Sequence, residues 1–232
     1  MTTQTSRLMV VAVTSLCTWV VSGDAVAGPI TYLVMANTSS VNGTTGYIDL
    51  QFDPGFQTTQ SAVVAVNSFA TDGIMNPGSV QVAGDVTGLL PSSVTIGNST
   101  QFNDYFEGLI FGDTVTFRLA LSGPALTSPN GTALSGSTFG IGFYDSTGFN
   151  PILTTNVTDG FAGVINVNLD GTTTPIVFPL NDGVSISAIS ITAIPEPSSL
   201  WLVGVGILGL GGGLAWRRSR PLRPCRQRYQ QC

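Results

Sequence analysis

The sequence predicts an all-β fold, an antiparallel β-sandwich or jelly roll of about ten strands. Three observations point there. Short stretches between residues 29 and 191 alternate apolar and polar side chains with a period of two. Gly, Asn, Asp, Pro and Ser break these stretches every eight to twelve residues. No stretch of that region sustains the 3.6-residue apolar period of a helix.

Taken in order, residues 30–35 form a first strand, followed by a polar turn over 37–45. Residues 47–52 alternate cleanly and stop at Asp53-Pro54-Gly55, where Pro presets φ and Gly accepts a positive one. Residues 62–69 are valine-rich and end at Thr71-Asp72-Gly73. Shorter strands follow at 79–83, 85–89 and 93–96, then a longer one at 105–111. The clearest pattern is 114–121: Val115, Phe117, Leu119 and Leu121 point one way, and Thr114, Thr116, Arg118 and Ala120 the other, which puts Arg118 on the solvent face. A long loop over 122–137 holds Pro124, Pro129 and Asn130-Gly131. Strands at 138–144, with glycines at 140 and 142, at 161–169 and at 184–191 complete the set.

Charge is distributed unevenly. Between residues 28 and 194 one arginine, Arg118, stands against eleven carboxylates, a net charge of −10, while six of the eight arginines follow residue 216. Nucleic acid and anionic lipid are therefore poor partners for this region. The chain has no histidine and no lysine, and its three cysteines (Cys17, Cys225, Cys232) lie outside the β region. That removes the usual general base, thiol and Schiff-base nucleophiles, a disulfide framework and thiolate metal sites. A core of this size folds without such staples.

The two ends are of another kind. Residues 1–7 carry one positive charge, 8–21 are apolar, and Ala25-Val26-Ala27 supplies a small-x-small cleavage signature, so residues 1–27 read as a Sec signal peptide cleaved after Ala27. At the other end Pro195-Glu196-Pro197-Ser198 is followed by residues 199–216 without a charge, then by Arg217, Arg218 and Arg220. The prolines favour an extended, accessible backbone. Eighteen residues at about 1.5 Å rise span roughly 27 Å, just enough for one transmembrane helix in the inner membrane. The arginines stop transfer and hold the tail, 221–232, in the cytoplasm. Gly209 and Gly213 form a Gly-x-x-x-Gly pair within the span.

Handle, span and basic stop, over residues 194–220, closely resemble the PEP-CTERM sorting signal of Gram-negative bacteria. The resemblance implies processing near Pro195–Pro197 by an exosortase-type transpeptidase, after export through the Sec translocon and trimming by signal peptidase. The region between, 28–193, is then the exported passenger. Residues 45–52, 102–106, the loop after Leu121, 159–162 and 168–172 are similar to a group of uncharacterised PEP-CTERM proteins, a likeness that implies export and brings no activity with it.

Within the passenger, Asp104, Glu107 and Asp113 are the candidates for a glycosidase-type carboxylate pair, and are read instead as solvated turn residues flanking a strand. Asn166-Val167-Asn168-Leu169-Asp170-Gly171 mimics the start of an EF-hand loop, but its twelfth position is Val177 where the bidentate Glu belongs, so a strand entering an Asp-Gly turn explains it better. Five Asn-x-Ser/Thr sequons, at Asn37, Asn42, Asn98, Asn130 and Asn156, reflect composition. Tyr47, Tyr105 and Tyr144 are candidates for stacking on sugars, or for strand packing. No catalytic, cofactor or metal residues are assigned. The expectation is a non-enzymatic protein of the cell surface or matrix, a structural or adhesive component associated with exopolysaccharide and biofilm. Its alternatives are a carbohydrate-binding module and an unprocessed single-pass membrane protein.

Overall fold

The computed structural model describes residues 29–179 and 189–194. Twelve strands lie in them: β1 Ile30–Asn37, β2 Thr45–Asp53, β3 Val63–Thr71, β4 Ile74–Ala83, β5 Val86–Leu89, β6 Ser93–Gly97, β7 Asp104–Ile110, β8 Thr114–Ser122, β9 Gly136–Tyr144, β10 Phe161–Asn168, β11 Thr173–Val177 and β12 Ile189–Ile194. They form two six-stranded sheets, ordered β12-β1-β8-β3-β6-β5 and β11-β10-β9-β2-β7-β4. Every pairing is antiparallel, and the expected sandwich is the fold.

The topology is nested. β1 pairs with β8, β2 with β7 and β3 with β6, so the chain from β1 to β8 folds back on itself like one long hairpin wound across both sheets. That gives the β1-β8-β3-β6 and β2-β7-β4 orders of a jelly roll, with β5 placed beside β6 and β9–β12 added at the other side.

Alternation decides which side chains enter the core. In β8 Val115, Phe117, Leu119 and Leu121 are buried and Arg118 is exposed, as the pattern predicts. Opposite them Ile48, Leu50 and Phe52 of β2 and Phe139, Ile141 and Phe143 of β9 close the second sheet over the same core. Phe52 meets Phe139, and Phe111 meets Phe143, edge to face, the arrangement that aromatic quadrupoles favour.

Three elements differ from the sequence reading. β4 begins at Ile74, five residues before the expected Ser79, because a register shift between Asn76 and Gln81 absorbs Pro77-Gly78 at the sheet edge. β11 was not expected at all: Thr173–Val177 is short and contains Pro175, which only an edge strand tolerates. The loop after β8 holds a single helical turn, Pro124–Thr127, with proline at its start. The last expected strand, 184–191, lies partly outside the described residues; β12 carries the pairing with β1 on to Ile194.

Asn103, fully buried, ties three segments together. Its Nδ2 donates to Phe52 O (2.9 Å) and Thr100 O (2.8 Å), its Oδ1 accepts from Asp85 N (2.9 Å), and its own N–H donates to Asp53 Oδ1 (2.7 Å). Asn103→Ala removes the side-chain bonds and strands buried backbone groups, so it is expected to cost about 2–3 kcal/mol, read as a lower urea midpoint with an unchanged slope.

Candidate functional site

The outward face of the second sheet is unusual for a solvent face. Adjacent strands set it out in rows: Tyr144, Tyr47 and Gly108; then Gly142, Asp49 and Phe106; then Gly140, Gln51 and Asp104. Tyr47 and Phe106 stack, with ring centroids 4.6 Å apart at 18°, and Tyr144 tilts against Phe106 at 5.8 Å. Glycine at 142 lets the Tyr144 ring lie down on the sheet, since a Cβ there would stand 3.0 Å from that ring and 3.3 Å from Asp49 Cβ. The Tyr144 hydroxyl reaches Gly160, whose φ of 80° and missing side chain both make room.

Under these rings Asp49 is only 2% exposed, although it points away from the core. The Asp104 carboxyl on the neighbouring strand lies beside it, and two carboxyls buried side by side favour the protonated form of the pair. Gln51 Nε2 donates to Asp49 Oδ2 at 2.9 Å. Asp49 Oδ1 and Asp104 Oδ1 are buried without a hydrogen-bond partner. Burial, reinforced by Asp104, pushes Asp49 up to about 9, and burial raises Asp104 as well. Burial also pushes the Tyr144 hydroxyl up to about 12, with the Asp49 charge adding to it.

Beside this pair a cavity of about 280 Å³ opens, lined by Tyr47, Gln81, Asp104, Phe106, Thr147, Gly148 and Phe149. The rim is a locked loop. Asp145 accepts from Thr147 N (3.0 Å), Thr147 Oγ1 (2.5 Å) and Asn150 Nδ2 (2.7 Å), and Gly148 N donates back to Asp145 O (3.0 Å). The bonds from Thr147 and Asn150 hold Asp145 down at about 2. The result is a stiff support for Phe149, 85% exposed.

Of the three acids expected as solvated turn residues, Asp104 and Glu107 are placed otherwise. Asp104 and Glu107 both belong to β7, three positions apart, and so face opposite sides of the sheet. Glu107 is fully buried between the sheets, accepting from the Tyr105 hydroxyl, which in turn accepts from Leu90 N at 3.0 Å. Burial raises Glu107. Asp113 is an exposed turn residue bonded to Asn42. No glycosidase pair is assembled from these three. The EF-hand look-alike is the β10–β11 turn, where Asp170 Oδ1 accepts from Thr172 N and Oγ1. Of the tyrosines, Tyr47 and Tyr144 come together on the outer face, and Tyr105 goes to the core. Asn98 is buried, bridging Gln60 O, Ala62 N and Ser137 Oγ. Among the described residues, no group of three acids, histidines or cysteines is placed to hold a metal. Asp49 was not singled out from sequence, because its partner is brought to it by register between strands distant in the chain.

Asp49, Asp104 and Glu107 bind their protons more tightly folded than unfolded, so their stabilisation is complete below about pH 4 and is lost as pH rises through the folded values. Asp49→Asn keeps the shape and supplies a permanent N–H toward Asp104. It is expected to raise the melting temperature at about pH 8 by about 3 °C, roughly what 1 kcal/mol is worth in a domain of this size. It should also flatten the decline between about pH 4.5 and pH 8, both read by thermal unfolding followed by circular dichroism.

The sorting and processing residues Pro195, Glu196, Pro197 and Ser198, the stop-transfer arginines Arg217, Arg218 and Arg220, the span 199–216, the tail 221–232, and the signal peptide with Ala25 and Ala27 lie outside the described residues. Among the described residues no helix is long and apolar enough to cross a membrane. No curated protein and no solved structure matches the chain. Residues 193–219 match the PEP-CTERM protein-sorting motif, which begins inside β12. The passenger folded as a β-sandwich thus stands ahead of a PEP-CTERM sorting motif, and that motif implies an exported, membrane-anchored precursor with an exosortase as its processing partner.

Proposed function

We propose that the passenger is a non-enzymatic structural or adhesive component of the cell surface or extracellular matrix, associated with exopolysaccharide. The sorting motif supports the placement in this reading, because it marks a folded domain for export and exosortase processing. Its first two residues, Ala193 and Ile194, still pair with Tyr32 and Thr31 of β1. Processing near Pro195–Pro197 therefore meets the chain immediately beyond the sheet and releases the sandwich whole.

The acids also favour a non-catalytic role. Asp49 and Asp104 lie side by side, and Asp49 is too enclosed to face an attacking water. Glu107 is held in the core by Tyr105. Neither arrangement leaves an acid and a nucleophile on opposite sides of a substrate bond.

Intact mass and fractionation of the native protein, with and without Glu196→Ala, test the reading. Wild-type protein is expected at the surface or in the matrix, lacking residues 201–216. Glu196→Ala should stay in the inner membrane at the mass of the signal-peptide-cleaved precursor. A mature wild-type species that keeps Trp201 and Trp216 would count against it. Release of product from polysaccharide by the purified wild-type protein would overturn its non-enzymatic part.

A further inference from the structure

The cavity on the outer face of the second sheet has a composition that narrows what fits it. Its walls are three aromatic rings, Tyr47, Phe106 and Phe149, and three side chains that exchange hydrogen bonds with hydroxyls: Gln81, Thr147 and Asp104. A pyranose ring matches such a lining, offering a C–H face to an aromatic surface and hydroxyls to amides and carboxyls. At about 280 Å³ the space lies at the low end of ligand sites, enough for one sugar ring.

Charge narrows the class further. Asp104 lines the cavity, Asp49 lies behind it and Asp53 is next along β2. Arg118, the one arginine among the described residues, projects from β8 in the other sheet. Nothing here would neutralise a uronate or a phosphate, and the acids would repel one.

Rigidity is the third consideration. An exposed phenyl ring on a mobile loop would lose freedom on binding, but Phe149 is carried by a loop already fastened through Asp145, Thr147 and Asn150. A Cβ added at Gly148 would stand 3.5 Å from the Phe106 and Tyr47 rings, so the loop lies close over that stack. The platform is organised before any ligand arrives.

We infer that this cavity binds a single uncharged pyranose unit of a polysaccharide, with Phe149 and the Tyr47–Phe106 stack contacting the ring face and Gln81, Thr147 and Asp104 taking its hydroxyls. The inference rests on the reading of the passenger as a polysaccharide-associated surface protein and gives that association a site.

The test is saturation-transfer NMR on the full chain in lauryldimethylamine oxide micelles, a detergent without sugar. The probes are methyl glucoside, methyl galactoside, methyl mannoside and, as the anionic comparison, methyl glucuronide. Irradiating aromatic protons should transfer saturation to at least one neutral glycoside and not to the glucuronide. Phe149→Ala, at an exposed position outside the sandwich, should weaken that binding by about tenfold or more, and Gln81→Ala should weaken it too. Phe56→Ala, an exposed ring that does not line the cavity, should leave it unchanged. Absence of transfer to every neutral glycoside, equal transfer with Phe149→Ala, or equal transfer to the glucuronide would overturn the inference. Fractionation separates the two failures: a protein that reaches the matrix without binding sugar sinks only the site, and one that binds sugar but stays in the inner membrane sinks only the placement.

Discussion

A β-strand shows alternate residues to opposite faces, and in a sandwich only one of those faces can be filled by the other sheet. The rest of this structure depends on that constraint. The passenger has no cysteine for a staple and one arginine for ion pairing, so its cohesion comes from apolar rows such as Val115–Phe117–Leu119–Leu121 meeting Ile48–Leu50–Phe52 across the interior. Antiparallel ladders satisfy the backbone groups that this burial removes from water. The nested pairing of β1 with β8, β2 with β7 and β3 with β6 gives both sheets a core-facing row from nearly every strand.

Against that background the buried acids stand out, and they divide by face. Glu107 sits where alternation calls for an apolar residue, tolerated because the Tyr105 hydroxyl donates to it and burial keeps it inclined to hold its proton. Asp49 sits where alternation calls for a solvated residue, yet Tyr144 and the neighbouring strands cover it. A core of apolar side chains does not need either carboxyl. The first lies sealed inside the sandwich. The second lies beside a carboxyl that lines an open cavity, which is why the outer face of the second sheet, and not the interior, is where recognition is to be sought.

The sorting motif and the fold meet at β12. That strand is at the edge of the first sheet and pairs with β1, so the end that precedes the sorting signal is fastened beside the strand that opens the passenger. An edge strand held by one neighbour is the weakest kind of closure, and here six register pairs with β1 hold it. The last strand of the sandwich thereby includes the first two residues of the sorting motif, and the rest of the motif follows Ile194.

By itself the sequence determined what rests on local pattern. Period-two alternation and turn residues were enough for the sandwich class, for most strand positions and for the outward side of Arg118, because side-chain direction in a strand follows from its neighbours in the chain. The address was legible for the same reason: Pro195-Glu196-Pro197-Ser198, the uncharged run and the arginines are contiguous. Pattern was weakest at the edges, where Pro77 and Pro175 read as breaks and the sheet accommodated them by a register shift and an edge placement. Only the tertiary structure decided that Asp104 and Glu107, close in the chain, would be separated by a sheet, while Asp49 and Asp104, far apart in it, would be buried side by side. Which carboxyls and rings become neighbours is set by strand order and register, and these come from packing between segments that no local pattern relates.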